Sequence, residues 1–399
     1  ALLQLVAKGK QDIYLIGNPK MTYFKNRYAR HTNFSMESIR VDFTEQAGFG
    51  RRFSAFIDKK GDLLHRIIAE INLPLISPSQ IGWIDGIGHH IIEYVELRLG
   101  GELFDRITGD VLDIYTELTT PLGHIKAYNS MIGKKGVYDN TREGPLKLFV
   151  PLPFWFCNDV SRALPLISLQ YTDVQIVFKF REFNKMWFTD RDTNATPDSQ
   201  LEVSSAHLFC DYIFLDEYER KKFASMKESE YLIEQFQINN NFEISPGQSS
   251  IVANLHFNHS VKEMIWFYQS KANMDVNEIG TYGYYSGTDF TTVKSPFIEA
   301  ELKLNNQDRI SKRSIDYFRL VQPYYHHTQG TNDKIYVYSF ALYPEQLQPS
   351  GTCNFSKIDN CNLILSMPSD IPQGFLTVFA VNYNIMKIKN GMAGLMFSS

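Results

Sequence analysis

Glu96-Leu97-Arg98-Leu99-Gly100-Gly101, leading into Asp105-Arg106-Ile107, returns far downstream as Glu301-Leu302-Lys303-Leu304-Asn305-Asn306, leading into Asp308-Arg309-Ile310. In both copies leucine alternates with charge, the period-2 pattern that puts apolar side chains on one face of a half-buried strand. Gly-Gly and Asn-Asn then supply residues that tolerate positive φ, as a tight hairpin turn demands. A second echo follows in the same order: Phe209-Cys210-Asp211-Tyr212 and Ala380-Val381-Asn382-Tyr383 each lie inside an apolar run. Two echoes in one order predict two copies of one β domain.

Working outward, 399 residues exceed what one core usually holds, so two domains are the expectation. Hydrophobic residues make up 44% and charged residues 21%, the balance of an ordinary globular chain; aromatics reach 14%, which favours strands. Net charge is −4 with no block of lysine or arginine, against a dedicated nucleic-acid surface, because neutralising phosphates takes clustered cations. No apolar run reaches the length of a membrane span. Ala1–Leu15 is too short and too interrupted by Lys8, Lys10 and Asp12 for a secretory leader. Its alternatives are a frayed end or an arm that packs on a neighbour; the arm is favoured because Leu2, Leu3, Leu5 and Val6 are costly to leave in water.

Strand-like runs rich in Ile, Val, Phe and Tyr cover 38–43, 63–73, 91–99, 174–180, 206–215, 251–257, 261–268, 335–342, 362–365 and 375–385. A helix is predicted over Asp110–Thr119, and a helical turn over Asp216–Phe223, whose dense charge marks a linker. Arg181–Glu202 and Ser270–Ser295 read as long polar loops, the usual carriers of specificity. Many short strands joined this way point to a sandwich or jelly roll.

Chemistry is sparse. Gly133-Lys134-Lys135-Gly136 lacks the first glycine of a phosphate loop, that position being Tyr128, and lacks Ser or Thr after Lys134. Asp85-Gly86-Ile87-Gly88 has no following dinucleotide-binding helix. His89-His90 and His326-His327 are sequence neighbours; His89 and His90, read as preceding a strand, would point to opposite faces, so packed or hydrogen-bonded histidines are expected rather than metal ligands. Cys157, Cys210, Cys353 and Cys361 show no paired ligand spacing and read as free thiols, with a Cys353–Cys361 bridge the alternative. Sequons at Asn33, Asn194, Asn258 and Asn354 matter only in a secretory lumen. No hydrolase or metalloprotease motif occurs, so neither an enzyme nor a cofactor is expected.

Beside this reading stands a resemblance. Leu2–Ala7, Asp12–Pro19, Thr22–Lys25, Arg30–Phe34, Pro151–Cys157, Ala163–Tyr171, Gln322–Thr328, Tyr338–Leu342, Gln348–Ser356, Ala380–Ile385 and Gly391–Leu395 are similar, nearly end to end and in order, to the major capsid protein of the nucleocytoplasmic large DNA viruses. The resemblance implies an all-β fold of two tandem eight-stranded antiparallel jelly rolls with short helices in loops. Its expected divisions are an arm over 1–25, a first roll over 26–216, a linker over 217–230 and a second roll over 231–399. It implies a homotrimeric, pseudo-hexagonal capsomer that tiles an icosahedral double-stranded DNA virion, assembled in the host cytoplasm. The expected partners are the chain's own copies, neighbouring capsomers, and minor capsid and penton proteins. The arm Ala1–Tyr14 would face inward, towards minor capsid proteins or the internal membrane, and no direct nucleic-acid contact is expected. The chain is short for this family, so a low outer surface is expected. Phe154, Trp155, Tyr324 and Tyr325 are candidate interface anchors, with core packing the favoured reading for each. A lectin-like sandwich and a cupin-type enzyme are the competing classes; neither predicts the ordered series of similar stretches.

Overall fold

The computed structural model describes residues 2–77, 81–134, 145–189, 196–198, 201–271, 295–330 and 335–397. The chain forms two compact units, Ala1–Phe34 and Ser35–Ser399. The first carries two short helices, Leu2–Val6 and Ile13–Ile16, with no buried residue on either.

Strands dominate the second unit. The first half contributes β1 (Phe34–Asp42), β2 (Arg52–Ile57), β3 (Leu63–Leu73), β4 (Ile81–Trp83), β5 (Ile92–Leu99), β6 (Glu102–Thr108), β7 (Leu146–Pro151), β8 (Val174–Phe180), β9 (Trp187–Thr189) and β10 (Ser205–Leu215). The second contributes β11 (Glu228–Ile244), β12 (Ser250–Leu255), β13 (Ser260–Ser270), β14 (Glu299–Leu304), β15 (Gln307–Ser314), β16 (Ile335–Ser339), β17 (Cys353–Asn354), β18 (Cys361–Ser366), β19 (Gly374–Lys389) and β20 (Met392–Leu395).

Their pairing repeats. In the first half the sheets run β1-β10-β3-β7 and β2-β8-β5-β6; in the second, β11-β19-β13-β16 and β12-β18-β14-β15. Replacing each strand by its counterpart converts one half into the other, so each is a jelly roll of two four-stranded sheets. Among the described residues the additions are few: β4 pairs β9, while β17 and β20 extend the β11 sheet.

The sequence echoes occupy equivalent places. Glu96–Ile107 forms the β5–β6 hairpin and Glu301–Ile310 the β14–β15 hairpin. Gly100 and Gly101 have φ of 60° and 85°, Asn305 and Asn306 of 50° and 63°, as a turn with two left-handed residues requires. Val95, Leu97 and Leu99 are buried on the inner face. On the outer face Glu96 is ion-paired to Arg98 and Arg106, which hold its carboxyl below the usual range against the opposing pull of burial. The later echo falls on β10 and β19, the strands next to the first strand of each roll.

Alternation fails in β13, every residue of which from Val261 onward is buried. Met264, Trp266 and Tyr268 face the second roll's own core, while Ile265 and Phe267 join the core of the first roll. Ile335 and Val337 of β16, and Phe379 of β19, do the same. This sheet is covered on both faces, so its strands read as continuous apolar runs. Each such side chain contributes roughly 1.5–3 kcal/mol on burial, enough for a handful of them to weld the rolls together.

Most predicted strands recur within two residues of their expected ends, and the predicted helix appears as Gly109–Thr119, capped by Thr108. A second helix, Leu122–Ile132, follows where none was expected. The helical turn after Asp216 is a helix, Glu217–Ser225, and β11 already begins at Glu228, paired with Lys389. Residues 335–342, expected as one strand, leave the sheet after Ser339. All four cysteines are unbridged, and burial pushes the Cys210 and Cys361 thiols up to about 12. Of the two predicted loops, 190–195, 199–200 and 272–294 lie outside the described residues, and Asn194 with them; so do Lys135 and Gly136.

Candidate functional site

Between β15 and β16 the chain makes a π-helical turn, Tyr317–Val321, and then a short helix, Gln322–His326, with Pro323 in its first turn, where a missing N–H costs nothing. Two side chains pin this helix from inside. Buried Gln322 accepts from the Ser339 N–H at 3.0 Å through Oε1 and donates to the Tyr317 hydroxyl at 3.0 Å through Nε2. His327, with a fully buried side chain, places Nε2 3.1 Å from Glu263 Oε2 and Nδ1 2.8 Å from Glu345 Oε1. With both ends held, Tyr324 and Tyr325 turn outward, 77% and 68% exposed, their rings edge-on at 5.1 Å. Exposed Leu320 and Val321 precede them, and the His326 Nδ1–H donates to the Leu342 carbonyl at 3.0 Å, bringing exposed Leu342 and Tyr343 alongside.

Beneath the tyrosines lies an ionic cluster joining the rolls. Arg162 of the first roll meets Glu234 of β11 at 3.0 Å; Lys262 of β13 meets the other oxygen of Glu234 at 3.2 Å and donates to the Pro344 carbonyl at 2.7 Å. Three carboxylates (Glu234, Glu263, Glu345) face three cations (Arg162, Lys262 and protonated His327). Burial alone would push the His327 imidazole down; the charges of Glu263 and Glu345 overrule it and hold it up at about 9. Burial likewise opposes Glu263, yet His327 and Lys262 keep its carboxyl below the ordinary value. Nearby, Asp105 accepts from the Phe236 and Arg106 N–H groups, each at 3.0 Å, and burial raises its carboxyl to about 7.

The other histidine pair sits on a short helix, Ile87–His90, not on a strand approach, and both rings are buried. His89 spans Asp113 Oδ1 at 3.1 Å and the Tyr128 hydroxyl at 2.8 Å. A carboxylate, an imidazole and a hydroxyl in series can form a nucleophilic relay. Here burial lifts the Tyr128 phenol far above its ordinary range, and the ring of His89 is wholly enclosed, so the series holds three helices together. Lys134 binds Asp113 and Glu117 at 3.4 and 3.3 Å rather than a phosphate. Among the described residues there is no group of three or more His, Cys, Asp or Glu able to hold a metal ion.

The proposed anchors divide. Tyr324 and Tyr325 are at the surface. Phe154 and Trp155 are core residues, 0% and 2% exposed, the Trp155 ring lying between Phe104 and Phe156. The helical turn that begins at Trp155 folds the segment inward under β3, a reversal that an aromatic run does not announce. Sequence reasoning passed over Arg162, Glu234 and the Lys262-Glu263 pair. The available signal was a charged pair inside the apolar run Val261–Tyr268, where charges persist only when partnered.

Residues 22–216 match the family model for the major capsid protein N-terminus, and residues 219–394 match the model for the large eukaryotic DNA virus major capsid protein. The chain is 40% identical to the major capsid protein of Pyramimonas orientalis virus and 36% identical to that of Phaeocystis pouchetii virus, covering 100% of this chain and 99% of the relative in each case. The second alignment runs over 519 positions, so that relative carries insertions absent here. Against solved structures, PBCV-1 VP54 superposes with a TM-score of 0.81 at 30% identity, over 95% of this chain and 100% of that one. The Faustovirus major capsid protein superposes with a TM-score of 0.80 at 12% identity, over 97% of this chain and 96% of that one, a likeness of fold alone.

Proposed function

The chain belongs to the major capsid protein family of the large eukaryotic DNA viruses, and from that membership we propose that three copies close into a pseudo-hexagonal capsomer that tiles an icosahedral shell. As a family member it is a structural component of the virion capsid and not an enzyme. The observation that carries the finer reading is the repeated strand order: two like rolls per copy make six like units per trimer, a shape suited to a hexagonal lattice.

On this reading the rolls divide near residue 217, in keeping with the two matched ranges. Tyr324, Tyr325, Leu342 and Tyr343 supply an apolar contact within the trimer, since exposed aromatics concentrate at interfaces. Contacts between capsomers are smaller and more polar, so that a closing shell can correct errors. The insertions of the longer relative have no place here, which leaves a low outer surface. Assembly takes place in the host cytoplasm around double-stranded DNA, with minor capsid and penton proteins as partners, and the arm points inward.

Native mass by light scattering tests the trimer. A species near three times 46.1 kDa is expected, falling to 46.1 kDa when Tyr324→Ala and Tyr325→Ala are combined, with the melting temperature of the fold little changed. A monomer at every concentration would sink the trimeric reading. A variant that stays trimeric would move the contact elsewhere.

A further inference from the structure

Asp105 lies on β6 of the first roll, 3% exposed, at the wall of a cavity of about 130 Å³ between the rolls. Its Oδ1 accepts from the Phe236 and Arg106 N–H groups, while its buried Oδ2 meets no partner among the described residues. Gln235 of β11, Asn384 of β19 and His259, in the turn between β12 and β13, line the cavity as well. A further wall is Leu395, which ends β20, and Phe397 just beyond it. β20 pairs with β19 of the second roll, yet Ala393 and Leu395 pack on the core of the first. It is tied at both ends. The Gly391 carbonyl accepts from the Tyr171 N–H at 3.0 Å, and the Ala393 N–H donates to Thr172 Oγ1 at 2.9 Å. The Met396 N–H donates to the Ile385 carbonyl at 2.9 Å, and Asn384 Nδ2 donates to the Phe397 carbonyl at 2.9 Å.

We infer that β20 and the residues up to Phe397 form a strap that stays closed over protonated Asp105 and opens when that carboxyl ionises. The neutral acid sits in the cavity at little cost, whereas a carboxylate with one bare oxygen needs a cation or water. Among the described residues no cation is left for it. On β6, Arg106 is committed to Glu96 and lies over the Tyr94 ring, and Glu102 adds like charge at the head of the strand. On β11, Glu234 repels the carboxylate and holds Arg162 and Lys262 for itself. Burial lowers the His259 imidazole, so that ring is neutral where Asp105 ionises. On β19, Asn384 is neutral and Lys387 is held by Glu228 and Glu230. Met392–Phe397 carries no charged side chain. Water must therefore enter, and the strap is the wall that yields most easily. β6 and β11 are locked into their sheets by β5 and β19, while β20 is a four-residue edge strand with Met392 and Phe397 already exposed. Burial places the Asp105 transition at about 7, so the strap is closed on the acid side and open on the alkaline side.

The test is amide hydrogen exchange on the full chain, wild type and Asp105→Asn, at about pH 5.5 and about pH 8.5. At the higher pH the Ala393 and Met396 amides are expected to exchange roughly tenfold or more faster in wild type than in the variant; at the lower pH the two agree. Comparing the chains at one pH cancels the acceleration of exchange by base. Within wild type, the same two amides should also gain on those of Ile265 and Trp266, buried in β13, as pH rises. That second reading needs no variant and so stands even where Asp105→Asn folds poorly. Equal exchange in wild type and variant at the higher pH overturns the strap. So does a wild type in which Ile265 and Trp266 accelerate by the same factor as Ala393 and Met396, because the whole fold is then opening.

Discussion

His327 and Glu263 form a buried ion pair, Nε2 to Oε2 at 3.1 Å, where the two jelly rolls meet, and Glu345 holds the other ring nitrogen at 2.8 Å. The imidazole is thus charged in the fold, its pKa raised from 6.5 to about 9. A group whose folded pKa is raised stabilises fully below its unfolded value and loses that contribution as pH rises through the folded one. Thermal melts should therefore fall between pH 6.5 and 9.5, by of order 3 kcal/mol in stability. His327→Gln should be less stable at pH 6 and flatter across this range. A wild-type profile level from pH 6.5 to 9.5 would contradict the ion pair.

Asp105 titrates lower and with a different outcome on substitution. Its carboxyl is raised by burial from 3.8 to about 7, and Oδ2 finds no partner among the described residues. The fold binds this proton more tightly than the unfolded chain, so stability is lost as pH rises from about 4 through 7. Asp105→Asn keeps an oxygen for the Phe236 and Arg106 N–H groups and removes the charge. It should gain ~1–3 kcal/mol over wild type at pH 8 and lose that advantage by pH 4, as read from denaturant midpoints.

Phe379 lies on the face of the second roll that packs against the first. Phe379→Ala should cost ~3–5 kcal/mol. Because both rolls share this core, a single unfolding transition by fluorescence and by circular dichroism is expected to move as one. Separate transitions for the two rolls would show that the shared face contributes little.

Gln322 and Tyr324, two residues apart, should separate stability from assembly. Gln322→Ala leaves the Ser339 N–H and the Tyr317 hydroxyl without their partner and should cost ~1–3 kcal/mol. Tyr324→Ala removes an exposed ring and should stay within about 0.5 kcal/mol of wild type. Melts of the two variants, run in conditions where the chain is monomeric, check the contrast.

The β14–β15 turn offers opposite signs at adjacent asparagines. Asn306 holds φ at 63°, so Asn306→Gly should stabilise by roughly 0.5–1 kcal/mol, making the favoured Asn-Gly pair. Asn305 has the same backbone sense, yet its Oδ1 accepts from the Asp359 and Asn360 N–H groups at 2.9 and 3.1 Å. Asn305→Gly should therefore destabilise by about 1 kcal/mol or more.

Much of the fold was legible because its signals are local. Leucine alternating with charge, then two residues suited to positive φ, specifies a hairpin wherever it occurs, and finding it twice revealed the duplication. Strands such as Leu63–Leu73 and Val174–Phe180 were readable to the residue because Gly, Pro or Asp bounds an apolar run. Less visible were Arg52–Ile57 and Leu146–Pro151, short strands whose pairing partners lie far away in sequence. The helix Leu122–Ile132 was missed because only one of its residues is buried and no side chain caps its start.

At the candidate site the division follows range. By itself the sequence determined the class of fold, its duplication and the family, since each rests on local pattern or on ordered similarity. Tertiary structure alone decided that Trp155 lies inside while Tyr324 lies outside, although both are aromatic residues in segments similar to the same family. It also decided that Arg162, Glu234, Lys262, Glu263, His327 and Glu345 form one balanced cluster. Exposure and charge pairing depend on which distant segments arrive at a position, and for a buried ion the desolvation cost is offset only by partners that the chain's folding brings within reach.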